Sequence, residues 1–293
     1  MLTIENNQLR VGIDEMGAQV THVIDKNGNF DFIWNGIEWK KHAPILFPAV
    51  GGSVNDQYVI DGKAFSMKPN GFASDYSWTV VDKGDEQVSL TLTDNEETLK
   101  IYPFEFSLMV TYALEGNHLH VRFLVQNNSQ KTMPFALGFK PTFNIPIITD
   151  NLKFSDYSLT FEPEVPELTK YKLTDHSLRE KEIYTVSGTD KNSLQLKYSD
   201  FEAGPIVIAT PGLTQVDVTS EKSDHQLGVS LEEFDHVALW TMAKQEAKFL
   251  CIAPLNGLPD QESNTLVDWS QKEGNHLLEP EQKVEFSTTL TLQ

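Results

Sequence analysis

The sequence predicts an all-β protein, a large and mostly antiparallel β-sandwich. Apolar residues recur at every second position in several separate runs, and turn-forming residues fall between those runs. No long segment carries a helical apolar stripe.

Along the chain, Leu9, Val11 and Ile13 alternate with polar or small neighbours. Val88, Leu90 and Leu92 do the same, as do Leu119, Val121, Phe123 and Val125. Val284, Phe286, Thr288 and Leu290 repeat the pattern near the end. Such alternation places one row of side chains inward and one row toward water, as in a half-buried strand. The breaks are Asn27-Gly28-Asn29, Asp61-Gly62, Lys83-Gly84-Asp85, Glu115-Gly116-Asn117 and Asn127-Asn128-Ser129. Gly and Asn tolerate the positive φ that tight hairpins need. Phe249-Leu250-Cys251-Ile252 reads as an apolar strand in which Cys251 is an inert small hydrophobe. The segment Glu162–Asp190, rich in Glu, Lys and Pro, reads as loop with short turns. No composition shift or internal repeat divides the chain, so one domain, residues 1–293, is expected.

Charge narrows the partners. There are 42 Asp and Glu against 23 Lys and Arg, a formal charge of −19. That field repels phosphate backbones and anionic lipid, so neither nucleic acid nor a membrane surface is an expected partner. A lone cysteine forbids an intrachain disulfide and fits a reducing compartment. The first residues show no basic region followed by an apolar stretch, and no run of about 18 apolar residues exists to span a membrane. The expectation is a cytoplasmic protein, monomer or homodimer.

Common catalytic motifs are missing. Gly51-Gly52-Ser53 lacks the Lys of a phosphate loop, and no Gly-x-Ser-x-Gly occurs. His118-x-His120 puts two imidazoles on one strand face, opposite Leu119 and Val121. A solvated outer face explains them without a metal.

Five segments in order are similar to motifs of the aldose 1-epimerase (galactose mutarotase) family, especially its bacterial subgroup associated with lactose and galactose genes. Ala43 to Gly52 resembles Pro-x-Leu-Phe-Pro-x-Val-Gly-Arg, and Asn70-Gly71-Phe72-Ala73 resembles His-Gly-Phe-Ala. Tyr102-Pro103-Phe104 matches Tyr-Pro-Phe, and Gly138 to Phe143 resembles Gly-x-His-Pro-x-Phe. Phe249 to Gly257 resembles Phe-x-Cys-Ile-Glu-Pro-Trp-x-Gly. Gly17-Ala18, Trp34 and the C-terminal strand extend the match. The resemblance implies a galactose mutarotase-like supersandwich with an open cleft for a small-molecule sugar, and no metal or organic cofactor.

Mutarotation opens the sugar ring. A base takes the proton of the anomeric hydroxyl while an acid protonates the ring oxygen, each contributing roughly 10²- to 10⁴-fold. By the resemblance, the base position holds Ala253, the acid position Lys140, the assisting His position Asn70 and the Arg position Gly52. A methyl group accepts no proton. Asp75 and Asp260 are the nearest acidic candidates for a substitute base or a substrate contact. The replacements leave the cleft about one unit more positive than the family pattern, which favours an anionic sugar.

Three functions follow as expectations. The first is a carbohydrate-binding protein for a hexose such as galactose or glucose, without the usual acid–base pair. The second is an active epimerase or sugar isomerase using Lys140 and a substitute base. The third is a non-catalytic regulatory or interaction protein.

Overall fold

The alternating runs form strands at Leu9–Ile13, Gln87–Thr93, His118–Asn127 and Lys283–Leu292. A computed structural model describes every residue except 148, 149, 166, 175 and 188–192, together with the side chains of 186 and 187. Each of the five turn signals closes a hairpin or ends a strand.

Every ladder between named strands is antiparallel among the described residues. A nine-stranded sheet has Lys283–Leu292, His118–Asn127 and Phe106–Glu115 at its centre. An eight-stranded sheet runs Arg179–Ser187, Glu167–Leu173, Ile206–Ala209, His236–Trp240, Phe249–Asn256, Leu137–Phe139 and Ile45–Leu46, with Thr142–Asn144 also paired to Phe249–Asn256. Leu2–Glu5, Leu9–Ile13, Val20–Asp25 and Phe30–Asp31 form a smaller sheet. The two large sheets pack face to face. Val121, Phe123 and Leu290 of one share a core cluster with Ile208, Leu239, Leu250 and Ile252 of the other, and that cluster reaches from Ile4 to Leu292. The rings of Phe123 and Phe139 meet across it at 6.0 Å.

The segment expected as loop between Glu162 and Asp190 instead contributes two strands, Glu167–Leu173 and Arg179–Ser187. Pro166, Asp175 and 188–190 of that segment lie outside the described residues. Its outer strand is the last of its sheet, where a Lys- and Glu-rich sequence blunts an exposed edge. The composition that suggested a loop is that of a guarded edge. The one α-helix among the described residues, Glu96–Ile101, is capped by Asn95, whose side chain accepts from the backbone N–H groups of Glu97 and Thr98. Among the described residues no helix is long and apolar enough to cross a membrane.

Strand Phe249–Asn256 is buried at all eight positions. Leu250 and Ile252 point into the sandwich core. Phe249 and Cys251 pack on the other face with Trp34, Trp39 and Trp240, and Ala253 and Leu255 pack there with Leu46 and Val50. A strand covered on both faces reads as a continuous apolar run. The second covered face is where the cleft lies.

Candidate functional site

The cleft rests on residues of the eight-stranded sheet that face away from the sandwich core. The backbone register sets Tyr171 beside Val207, Val207 beside Ala238, and Ala238 beside Ala253. Val207, Ala238, Ala253 and Leu255 line a cavity of about 250 Å³. The two alanines are a cross-strand pair, and their small side chains give the cleft its depth. Trp39 and Trp240 also line it, their rings 4.8 Å apart in an edge-to-face arrangement.

Lys140 lies between Leu137–Phe139 and Thr142–Asn144, where the chain leaves one short ladder and enters the next. Its Nζ sits 4.4 Å from the ring centre of Trp240 and 4.7 Å from that of Trp39. Such contacts favour the ammonium form. Burial acts the other way and lowers the pKa; Cys251 opposes that shift and Lys41 reinforces it. Among the described residues Lys140 has no ion-pair partner. Cys251 itself is buried, its thiol pKa is raised by burial, and its Sγ lies 3.0 Å from Thr142 Oγ1.

Asn70 shares the cleft with Lys140 and Ala253. It has φ of 67° and precedes Gly71, at φ 70°. Its Oδ1 accepts from the Gly51 N–H at 2.9 Å, and its own N–H donates to the Gly51 carbonyl. The turn therefore uses the oxygen of the side chain and leaves the amide nitrogen for a ligand.

A second lobe of about 120 Å³ adjoins the first, sharing Trp39, Leu46, Asn70 and Lys140. Asp75, Lys41 and Lys68 line it. Asp75 pairs with Lys41 at 3.7 Å and also with Lys68.

The structure thus brings Lys140, Asn70, Ala253 and Asp75 to one cleft. It does not bring Gly52 or Asp260 there. Gly52 is buried behind the wall; its N–H donates to the Ser177 carbonyl and its carbonyl accepts from the Asp260 N–H, both at 3.0 Å. A Cβ at this position would stand 2.7 Å from the His176 carbonyl oxygen. The backbone of the 176–177 turn occupies the space a longer side chain would need. Asp260 is 3% exposed, its Oδ2 accepts from the Val54 N–H at 3.0 Å, and its Oδ1 meets Lys272 Nζ at 2.8 Å. It is a buried structural ion, too firmly held to swing into the cleft as a substitute base.

The tryptophan walls and the two further lysines escaped the sequence reading. Trp240 had a signal: in Val237-Ala238-Leu239-Trp240, inward Val237 and Leu239 turn Ala238 and Trp240 outward. Trp39, Lys41 and Lys68 come from irregular segments with no period to read. The His118 and His120 rings bond Thr291 and Thr289 through Nδ1 at 3.1 and 3.0 Å on the outer face of the nine-stranded sheet. Among the described residues no group of three or more His, Cys, Asp or Glu side chains could hold a metal. A cavity of about 310 Å³ at the end of the sandwich, between Leu159 and Ile208, contains none of the sequence-predicted residues.

Paired antiparallel sheets with a cleft on one outer face make this a galactose mutarotase-like sandwich. The model of the Aldose 1-epimerase family matches residues 1–291, and the chain belongs to that family. It is 30% identical over 281 residues to Protein LacX, chromosomal, of Lactococcus lactis subsp. lactis, covering 92% of this chain and 93% of the relative. A galactose mutarotase-like protein from Lactobacillus casei ATCC 334 superposes with a TM-score of 0.94 at 35% identity, with full coverage of both chains. A galactose mutarotase related enzyme from Lactobacillus acidophilus gives 0.94 at 28% identity, covering 100% of this chain and 97% of the other.

Proposed function

We propose that this protein binds a hexose such as galactose or glucose in the Lys140 cleft and lacks the acid–base pair that mutarotation requires. One observation carries the reading: among the described residues the tryptophan-walled lobe is lined by no carboxylate and no imidazole, and Ala253 lies on its floor. Two indole rings beside an apolar floor suit the C–H face of a sugar ring. Asn70 Nδ2 and Lys140 Nζ supply donors for hydroxyl groups. Proton abstraction from an anomeric hydroxyl needs a base, and Lys140 is the one ionisable side chain lining this lobe among the described residues. Asp75, in the neighbouring lobe, is already engaged by two lysines. The family match over residues 1–291 supports treating the chain as one functional unit.

Thermal denaturation with galactose or glucose, run beside polarimetry of α-galactose, tests the reading. The expected result is a sugar-dependent rise in melting temperature without faster mutarotation. Turnover that vanishes in Lys140→Ala would replace this reading with an active enzyme. No shift with any sugar would replace it with an interaction protein. Ala253→Glu combined with Lys140→His should raise the polarimetric rate by roughly 10²-fold or more, because it supplies the missing acceptor and acid.

A further inference from the structure

We infer that the cleft takes a hexose bearing an anionic group, its ring in the tryptophan-walled lobe and its anion among Lys41, Lys68 and Lys140. The inference rests on the sugar-binding reading above and adds the class of sugar.

The two lobes differ in chemistry. The larger is apolar apart from Asn70, Ser177 and Lys140. Among the described residues the smaller is lined by three lysines against the single carboxylate of Asp75, a local charge of two positive units in a protein of −19. Because the lobes share Lys140 and Asn70, one ligand can occupy both.

Hydrogen bonding points the same way. Ammonium groups donate and cannot accept. A sugar hydroxyl does both, and Asp75, already paired with Lys41 and Lys68, is the one carboxylate of that lobe. Carboxylate and phosphate groups are acceptor-only and suit a donor-rich lobe. Among the described residues Lys140 has no ion-pair partner beside its two indoles. Burial lowers the pKa of Lys41 and of Lys68, and Lys41 lowers that of Lys68 further. An anion placed among these groups offsets the cost of their burial and their mutual repulsion by direct attraction.

Isothermal titration of the full chain at fixed ionic strength tests this with galactose, galacturonate, galactose 6-phosphate and inorganic phosphate as separate probes. Galacturonate or galactose 6-phosphate should bind roughly tenfold or more tightly than galactose, and should weaken as salt is raised. The two arms distinguish a carboxylate from a phosphate. Lys41→Gln and Lys68→Gln, at half-exposed positions that leave the fold intact, should bring the anionic sugar to the affinity of galactose. Galactose binding as well as both charged sugars would overturn the inference and leave the sugar-binding reading standing. Inorganic phosphate matching galactose 6-phosphate would overturn it as well, since the ring would then contribute nothing. Failure of all three sugars would overturn both readings together.

Discussion

Two lysines in this protein stand against tryptophan rings, one sealed in the fold with a carboxylate partner and one half-buried at the cleft. Lys272 lies 5.5 Å from the Trp269 ring and 2.8 Å from Asp260, with its side chain 3% exposed. Lys140 lies beside Trp39 and Trp240 and, among the described residues, has no ion-pair partner. Burial lowers the pKa of both and a neighbouring cation adds to the lowering at each, Arg179 at Lys272 and Lys41 at Lys140; Asp260 opposes the shift at Lys272 and Cys251 opposes it at Lys140. A buried cation with its partner inside the fold serves the fold. A cation left without one, at the mouth of a cleft, is available to a ligand.

The largest test of that contrast is Asp260→Asn. Removing one partner of a buried pair leaves an uncompensated charge, and a loss of about 3–5 kcal/mol is expected in urea denaturation. A loss below about 1 kcal/mol would mean that Lys272 finds water or another partner. Gly52→Ala comes next, because Gly52 ties Asp260 to the 176–177 turn. Its new Cβ would press on two backbone carbonyl oxygens, and overpacking of this kind costs about 1–3 kcal/mol. Stability unchanged from the wild type would show that the turn yields freely.

Lys140→Met should change stability at neutral pH by less than about 1 kcal/mol, since no native ion pair is lost. A loss as large as that of Asp260→Asn would make Lys140 structural and erase the contrast. The smallest effect is a slope with pH. The folded protein holds Lys140 below the ordinary lysine pKa, so between the folded and unfolded values the unfolded chain binds more protons. Stability of the wild type relative to Lys140→Met should therefore rise as pH climbs toward about 10.4. A flat or falling difference in denaturation midpoints across that range would contradict the direction of the shift.

Strands such as His118–Asn127 were legible because one face meets the core and the other meets water, so period two is written into the residues. Phe249–Asn256 was legible as a strand, yet its apolar run gave no sign of which residues turn toward a cleft, since both faces are covered. Arg179–Ser187 was misread because an edge strand carries the charged residues that loops also carry. Asp75 and Asp260 looked alike as acidic residues beside glycine-containing segments. Their difference, one paired at the cleft and one sealed under it, depends on Lys41, Lys68 and Lys272, which irregular segments fold back onto them with no periodic signal to announce it.

By itself the sequence determined the all-β class, the family and the strands at Leu9–Ile13, Gln87–Thr93, His118–Asn127, Phe249–Asn256 and Lys283–Leu292. These are local or ordered signals, carried by neighbouring residues and by motif spacing. Only the tertiary structure decided that Ala238 stands beside Ala253, that Trp39 and Trp240 enclose Lys140, and that Gly52 and Asp260 lie behind the cleft wall. Those relations join strands and loops far apart in the chain, and they are fixed by sheet register and by close packing, neither of which leaves a trace in local residue order.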